Sequence, residues 1–400
     1  MLSKRTLRRG IPIFALVALT CGAGWAAATS IASQPRFFRA PAPIAGMQNA
    51  THVPWVSVGI GWGVGLYSPV SNEYSVHGEA RYRNIDRDYH LTLASPEGQL
   101  FDLGPLPLTN LLEWSHNGRY LLAATRHAVV RIDIQSMAVR TVFAFPSRYG
   151  RSQDEIDVAR FVHFFTSDGS AVVVTSREGG WKNSAGRVVP LDGGRPYNLH
   201  GLGCTWDVAK YAKDGRSVAC PARGVRVTDL SRGETETLVA PQHENCNPIK
   251  WESSSTILAQ CVITAEYNTR LYSFDTARNT ATPVTPIPGF LTASGGIEYG
   301  FSGRWIAAGN SYVHWDATCG PGGLERVVGD RTTTKGIPPS VAYGTTLGQA
   351  GDSIYNQQPN SECFGEWTVS RWTPPATTAR TVLKTTAWPG TFSTYFWLLD

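Results

Sequence analysis

A short marker returns several times along this chain, and it restricts the fold more than any other feature. Its fullest form, residues 114–123, is an aromatic residue, a polar run, a tight turn and then apolar residues. Related forms begin at Phe165 and Tyr211. Their Asn-Gly and Asp-Gly pairs supply the positive φ of a two-residue hairpin turn, and the residues after them suit a buried strand. The turn glycines expected at positive φ are Gly118, Gly169 and Gly215. Because one hairpin cannot bury its own faces, the copies should stack on one another.

The spacing of the markers predicts the architecture. They begin at Tyr67, Trp114, Phe165, Tyr211, Trp251, Phe301 and Tyr343. The successive spacings are 47, 51, 46, 40, 50 and 42 residues. A period in the forties with about four strands per unit is typical of β-propeller blades. We therefore predict an all-β fold, a β-propeller of seven four-stranded blades, with six or eight blades as alternatives.

A second periodic element follows most markers. It is a strand that ends in an acidic turn, with a further extended run behind it. The aspartates of these turns are Asp133, Asp192, Asp229, Asp275 and Asp316. We interpret the element as the third strand, hairpin and outer fourth strand of a blade.

The marker and the strand-Asp element together resemble the repeat of WD40-like, TolB-type propellers. The resemblance covers about residues 67–385. It implies the propeller fold and binding through loops at one end of the disc. It carries over no catalytic residue, because this repeat serves scaffolds, receptors and enzymes alike.

The N-terminus has the pattern of an export signal. A basic start is followed by an apolar stretch at residues 11–19 and then by small residues. We predict cleavage and secretion, with an uncleaved membrane anchor as the alternative. The expected domains are a signal peptide at 1–28, an extended, exposed lead-in at 29–53 and a single propeller at 54–400.

Cleavage also changes the charge of the chain. The formal net charge is +5, and residues 1–28 contribute four basic and no acidic side chains, so the mature chain carries +1. The basic character therefore gives no support for binding to nucleic acid or to an anionic membrane.

Six cysteines remain after the leader, and an even number in an exported chain is typical of disulfides. They are Cys204, Cys220, Cys246, Cys261, Cys319 and Cys363. The first two pairs are 16 and 15 residues apart and each flanks a marker, which predicts Cys204–Cys220 and Cys246–Cys261. Cys319–Cys363 then follows by elimination, although six cysteines allow about 15 pairings.

Two strand-like segments stand outside the markers. In residues 56–66, large apolar residues alternate with Ser or Gly, which predicts a period-2 strand with one bare face. We prefer to place it inside the fold, with a docking edge for a partner as the alternative. The C-terminal segment, about 391–398, is also strand-like. We expect it to pair with a blade that contains the N-terminal part of the mature chain, which would close the ring.

Motifs of catalysis are lacking in the sequence: there is no Gly-x-Ser-x-Gly elbow, His-Glu-x-x-His, phosphate loop or EF-hand. We therefore predict no catalytic residue, no metal site and no cofactor, and the binding residues stay undefined. Three inward-facing histidines could bind a metal, but surface or core positions are the preferred interpretation. The histidines are His52, His77, His90, His116, His127, His163, His200, His243 and His314.

Three further features leave alternatives open. Asp154, Glu155 and Asp157 could supply calcium oxygens, but we prefer a capped helical turn there. The abundant Trp and Tyr residues could stack on sugars, but most aromatic residues of a propeller belong to its core. Asn49 begins a glycosylation acceptor if the source organism glycosylates.

The sequence thus predicts an exported, disulfide-stabilised, monomeric propeller that binds a protein or glycan through loops on one face and is not an enzyme. The alternative is a hydrolase or lyase at the central channel, and a third class is an anchored cell-envelope protein. His and carboxylate side chains around one channel mouth would favour the enzyme. A broad aromatic or apolar patch on one face would favour binding.

Overall fold

The computed structural model describes most of the chain from residue 46 onwards. The described residues are 46–68, 89–125, 127–145, 162–175, 186–199, 204, 208–212, 217–230, 232–240, 245–263, 268–284, 289–290, 299–317, 320–329, 331–359, 367–384 and 391–399. Nearly all of them lie in strands or in turns between strands, and among them one short α-helix occurs, α1 (Pro339–Ala342). The predicted all-β class is confirmed.

The strands are numbered in chain order. The first fourteen are β1 (Gln48–Asn49), β2 (Gly63–Ser68), β3 (Tyr89–Ala94), β4 (Leu100–Leu106), β5 (Leu108–Trp114), β6 (Tyr120–Thr125), β7 (Ala128–Asp133), β8 (Ala138–Ala144), β9 (Val162–Phe164), β10 (Ala171–Thr175), β11 (Gly186–Pro190), β12 (Tyr197–Leu199), β13 (Lys210–Tyr211) and β14 (Ser217–Asp229). The other fifteen are β15 (Thr235–Leu238), β16 (Asn245–Trp251), β17 (Thr256–Ile263), β18 (Asn268–Asp275), β19 (Thr280–Pro283), β20 (Gly289–Phe290), β21 (Tyr299–Ala307), β22 (Asn310–Ala317), β23 (Gly320–Val328), β24 (Arg331–Thr333), β25 (Thr345–Ala350), β26 (Ser353–Pro359), β27 (Trp367–Trp372), β28 (Arg380–Lys384) and β29 (Thr391–Leu398).

Within the described residues these strands form six sheets. Four of them are four-stranded meanders, with the orders β5-β6-β7-β8, β12-β11-β10-β9, β21-β22-β23-β24 and β25-β26-β27-β28. A fifth sheet contains β13 to β20, and the sixth has the order β1-β4-β3-β2-β29. The count of seven blades stays a prediction, because the β13–β15 and β16–β20 groups share one eight-stranded sheet.

The first strands of the successive sheets contact one another and close a ring. Strand β29 contacts β5, β5 contacts β9, β13 contacts β16, β16 contacts β21, and β25 contacts both β22 and β29. The rings of His163 on β9 and Tyr211 on β13 complete the circuit, with centroids 5.9 Å apart. Such a closed ring defines a β-propeller, in which the inner strands surround a central channel. We call β5, β9, β13, β16, β21, β25 and β29 the inner strands.

Apolar residues alternate along the strands so that both faces of a sheet are buried against its neighbours. Leu121 of β6 packs in one cluster with Val64 and Leu66 of β2, whereas the next residue, Leu122, packs with Val172 of β10. All of these side chains are almost fully buried. Burial of one such side chain stabilises the fold by about 1.5–3 kcal/mol, so the ring is held together mainly between its sheets.

The predicted closure by the C-terminal segment is confirmed. Strand β29 pairs antiparallel with β2, with Gly63 opposite Leu398 and Ser68 opposite Thr391. Beyond the strand, the N–H of Gly61 bonds to the carbonyl of Leu399 at 2.8 Å. The ladder therefore joins segments from the two ends of the described chain.

The prediction of one strand over residues 56–66 is wrong for its first half. Trp55–Ser57 forms a 3-10 turn, Val56 and Ile60 are exposed, and the strand begins only at Gly63. The physical reason is Gly61, whose φ of +87° redirects the chain just before the strand. From Gly63 onwards β2 is paired with both β3 and β29, so it lies inside the fold and is no docking edge.

The end of the expected lead-in is not exposed. Met47 and Val53 are buried, and β1 pairs in parallel with β4. Residues 46–53 therefore pack on the first sheet. The expected signal peptide and the remaining lead-in lie outside the described residues.

The intact marker forms a longer turn than predicted. The N–H of Ser115 bonds to the carbonyl of Tyr120, which closes a four-residue loop, and the Ser115 hydroxyl accepts the N–H of Tyr120. Gly118 has a φ of +72° and Gly169 one of +73°, as expected. A two-residue hairpin turn of the I′ type would need positive φ at both central residues, whereas this loop needs it only at the glycine. Gly215 lies outside the described residues.

Two of the later or degenerate markers are misplaced. Phe301 lies inside β21 and Tyr343 follows helix α1, so neither begins a turn. Tyr67 lies inside β2, and the residues that follow Ser68 lie outside the described residues. The turn between β21 and β22 is Ala308-Gly309, where both residues have positive φ. The two-residue turn thus occurs where the marker pattern is weakest.

Both hairpin-scale disulfides expected from the spacing are present. The Cα atoms of Cys204 and Cys220 are 5.7 Å apart, and those of Cys246 and Cys261 are 3.9 Å apart. Cys246 and Cys261 face each other across β16 and β17, which explains their short span. Cys319 and Cys363 lie outside the described residues, so the bridge expected between them stays a prediction.

Candidate functional site

Four inner strands carry a polar residue at one equivalent place, two residues before the N–H that closes the following turn. Each of these residues pairs with the third residue of the next strand, so the register places them at one level of the channel wall. They are Glu113, His163, Lys210 and Lys250. We call them the pre-turn row. The marker keeps one type of residue at its turn position and one at its aromatic position. The pre-turn row, in contrast, carries a carboxylate, an imidazole and two ammonium groups.

Side chains of the row reach to the next inner strand. Glu113 Oε2 accepts the N–H of Phe164 at 2.9 Å, and Lys250 donates to the carbonyl of Arg304 at 2.9 Å. The Lys250 ammonium also lies 4.7 Å from the centre of the Trp305 ring. The free edge of an inner strand faces the channel, so these contacts bind backbone groups that have no strand partner on that side.

An acid, an imidazole and a phenol meet on β5, β9 and β13. Glu113 Oε2 lies 3.5 Å from Nδ1 of His163, and the His163 ring lies beside Tyr211 at an interplanar angle of 31°. The side chains of Glu113 and His163 are 28% and 35% exposed, so both remain open to solvent. We call these three residues the Glu113–His163–Tyr211 group.

Tyr211 supplies the buried part of this group. Burial raises the pKa of Tyr211, and the nearby Glu113 carboxylate raises it further. The hydroxyl is buried and has no hydrogen-bond partner among the described residues. The phenol therefore stays protonated at neutral pH and keeps an unsatisfied donor, which costs about 1–3 kcal/mol.

Two polar atoms of the group remain open. Both contacts of the Glu113 carboxylate use Oε2, and the contact of His163 to it uses Nδ1. Oε1 of Glu113 and Nε2 of His163 therefore have no hydrogen bond or ion pair with the described residues. Because both side chains are partly exposed, these atoms can accept hydrogen bonds from a ligand.

The short turns at this end of the ring are tied to one another. Asn117 Nδ2 donates to the carbonyl of Asp168 at 3.0 Å, which joins the turns of the β5–β6 and β9–β10 hairpins. Asp352 Oδ1 accepts the N–H of Ala308 at 3.0 Å, which joins the turns of the β21–β22 and β25–β26 hairpins. We call the surface formed by turns 116–119, 166–170, 252–255, 308–309 and 351–352 the marker-turn face.

Arg131 reinforces one corner of the marker-turn face. It donates to the carbonyl of Gly169 at 2.9 Å and to Asp192 at 3.3 Å, and it stacks 4.2 Å over the ring of Tyr120. Arg131 is itself almost fully buried. One cation of β7 thus fixes two turns of the next sheet, and Asp192 is the aspartate of a strand-Asp element.

The histidines do not converge in the described part of the structure. His90 pairs with Asp102 at 2.9 Å on the first sheet, and His314 is buried against the carbonyl of Gly344. Among the described residues no three His, Cys, Asp or Glu side chains are grouped as metal ligands. Three histidines lie outside the described residues: His77, His200 and His243.

The other sequence candidates differ in outcome. The acidic cluster Asp154, Glu155 and Asp157 lies outside the described residues. Most described aromatic side chains are buried or half-buried, and the exposed ones are Tyr197 and Tyr343. Asn49 accepts the N–H of Thr51, which forms a small turn at the surface.

Sequence reasoning missed the Glu113–His163–Tyr211 group. Glu113 lies alone in an apolar strand, and His163 is one of nine scattered histidines, so neither residue stands out by composition. The signal that the sequence does carry is position. Glu113 directly precedes the aromatic Trp114 of its marker, and His163 lies two residues before the aromatic Phe165, so the position is similar but not identical.

No known family model matches this chain, and no curated protein matches it. Solved structures similar to it include a putative TolB from Agrobacterium tumefaciens, 11% identical, with 81% of this chain and 89% of that chain covered and a TM-score of 0.35. The β-propeller domain of the Trilobed protease from Pyrococcus furiosus is 10% identical, with 74% and 87% covered and a TM-score of 0.43. A prolyl endopeptidase structure is 12% identical, with a TM-score of 0.48.

These likenesses concern the fold alone. The similarity covers 74% of this chain but only 46% of the prolyl endopeptidase chain, so this chain spans less than half the length of that protein. The ring of inner strands defines a β-propeller, the fold that the sequence resemblance implied. No helix of the described residues is long and apolar enough to cross a membrane.

Proposed function

We propose that this chain is an exported, monomeric, non-enzymatic β-propeller that binds a protein or glycan partner outside the cytoplasm through the loops of one face. The observation that carries the proposal is the set of hydrogen bonds between neighbouring turns of the marker-turn face. Loops that are already fixed lose little conformational entropy on binding, so such a face is pre-organised for a partner. The two disulfides suit an oxidising, extracytoplasmic compartment.

The test compares the marker-turn face with the rim of the ring. Residues 29–400 would be immobilised and probed with purified cell-envelope proteins and with a glycan array. The double variant Ser167→Lys/Ser254→Lys changes two exposed turn residues, whereas Ala138→Lys/Thr237→Lys changes two exposed residues of outer strands. We expect the first to weaken binding at least tenfold and the second to leave it unchanged. Equal loss in both variants, or no bound partner at all, would refute the proposal.

The rival function is a hydrolase or lyase at the channel mouth, and one observation favours it. Glu113 and His163 form a partly exposed carboxylate–imidazole pair on adjacent inner strands. Such a pair can hold an imidazole in position to accept a proton from a substrate or from water. Turnover of a polysaccharide or peptide library that disappears in His163→Ala would establish the enzyme. Full recovery of the intact library would count against the enzyme.

A further inference from the structure

We propose that the Glu113–His163–Tyr211 group binds a neutral sugar through two adjacent hydroxyl groups. This inference rests on the ligand-binding role proposed above and names the chemical class of the ligand.

The first argument is the pattern of acceptors. Glu113 Oε1 is an acceptor without a hydrogen bond or ion pair to the described residues. When the Nδ1–H of His163 faces Glu113 Oε2, the other ring nitrogen, Nε2, is a second acceptor. Two open acceptors on neighbouring side chains favour a ligand that carries two donors. The vicinal diol of a sugar ring presents two such donors on neighbouring carbons.

The second argument is the adjoining aromatic surface. The rings of His163 and Tyr211 have centroids 5.9 Å apart and are tilted by only 31°, and both residues are half-buried, so the exposed parts of their rings form a shallow apolar wall. A sugar ring has one face of C–H groups, and such a face packs well on aromatic rings whose edges remain polar. The wall and the acceptor pair thus match the two kinds of surface that a pyranose offers.

The third argument is charge. The Glu113 carboxylate stands at the open side of the group, 28% exposed, and it would repel a carboxylate or sulfate on the ligand. A ligand carboxylate or sulfate is therefore disfavoured at Glu113 Oε1 itself, whereas Lys210 and Lys250 are the cations of the same row. A primary amine is the competing ligand, because an ammonium also binds carboxylates and aromatic faces.

The experiment measures binding of defined probes to the mature chain. Maltopentaose, cellopentaose and mannopentaose would be the neutral probes, with trigalacturonic acid and butylamine as counter-probes, each in calorimetric titration and saturation-transfer NMR. We expect one neutral probe to bind and both counter-probes to bind at least tenfold more weakly. The variants Glu113→Ala and His163→Phe should weaken the neutral probe at least tenfold, since each removes one acceptor.

One control variant keeps the test specific. His90→Phe removes a histidine that pairs with a carboxylate elsewhere, and it should leave affinity within twofold. Loss in His90→Phe equal to that in His163→Phe would overturn the inference, as would preferential binding of trigalacturonic acid or butylamine. If no sugar binds but the marker-turn face still retains a protein, the inference fails and the proposed function stands.

Discussion

Two turns of this propeller need the same backbone and serve different purposes. Gly118, in the intact marker, and Gly309, between β21 and β22, have φ values of +72° and +73°. A Cβ atom added at Gly118 would lie 2.8 Å from Leu399, whereas one added at Gly309 would meet nothing within 4 Å. The glycine of the intact marker is therefore a packing site as well as a turn residue, and its neighbour belongs to the segment that closes the ring.

The largest expected effect comes from removing that neighbour together with its strand. Deletion of residues 391–400 removes the whole β2–β29 ladder and the buried Leu398 and Leu399. We expect a loss of more than about 5 kcal/mol, comparable with the total stability of a domain. Thermal unfolding followed by circular dichroism checks this. An unchanged midpoint would show that the ring does not depend on β29.

The glycines themselves give a graded series. Alanine at Gly309 should cost about 1 kcal/mol, from the left-handed backbone alone. Gly118→Ala should cost about 2 kcal/mol, because Leu399 must also shift. Gly169→Ala should cost about 3 kcal/mol, since its Cβ would lie 2.9 Å from the Tyr120 ring. Urea unfolding of the three variants measures the order of these costs. Three equal values would show that the glycines matter for the turn backbone and not for packing.

A double variant isolates the packing at the intact marker. Leu399→Ala removes the side chain that a Cβ at residue 118 would meet. Gly118→Ala should therefore cost about 1 kcal/mol less in a Leu399→Ala background than in the parent chain. Additive effects of the two substitutions would contradict the contact.

Near the two-residue turn at Ala308-Gly309, an ion pair joins the adjoining sheets, where the intact marker has the contact between Gly118 and Leu399. Arg304 donates two hydrogen bonds to the Glu252 carboxylate, and the two side chains are only 19% and 16% exposed. Glu252→Gln should destabilise the fold by about 2 kcal/mol in urea unfolding. Glu234→Gln, which breaks the exposed pair with Arg232, is the matched control and should cost less than about 0.5 kcal/mol.

The smallest effect concerns Tyr211, an aromatic residue of an intact marker. Its pKa in the folded chain is raised above the ordinary value of 10, first by burial and then by Glu113. The folded state therefore holds this proton more tightly, so stability is complete below about pH 10 and falls above it by up to about 1.4 kcal/mol per pH unit. Tyr211→Phe should remove this part of the alkaline decline. An identical slope above pH 10 would exclude Tyr211 as its source.

The sequence was sufficient for the fold where local chemistry repeats. Aromatic residues, turn glycines and strand-ending aspartates predicted the sheets, and the cysteine spacing predicted two bridges. It failed at 56–66, because alternation alone did not reveal that Gly61 bends the chain. It also failed at Phe301, because a Ser-Gly pair inside a strand looks like a turn when its neighbours are unknown.

The candidate site could not be predicted from local sequence patterns. Glu113 and His163 are 50 residues apart, and only the register of two separate hairpins brings them to one level. The unsatisfied hydroxyl of Tyr211 likewise depends on the distances between three inner strands. Such properties arise from the closed ring, and no pattern within one blade encodes them.

The β2–β29 ladder has one further consequence, for association between chains. Its paired residues Gly63 and Leu398 are separated in sequence by all the other sheets of the ring. Backbone hydrogen bonds hold their two strands together. A second copy of the chain presents the same strand with the same register. At high concentration, an opened ring can accept β29 from another molecule, so we expect slow, concentration-dependent strand exchange as one route of misassembly.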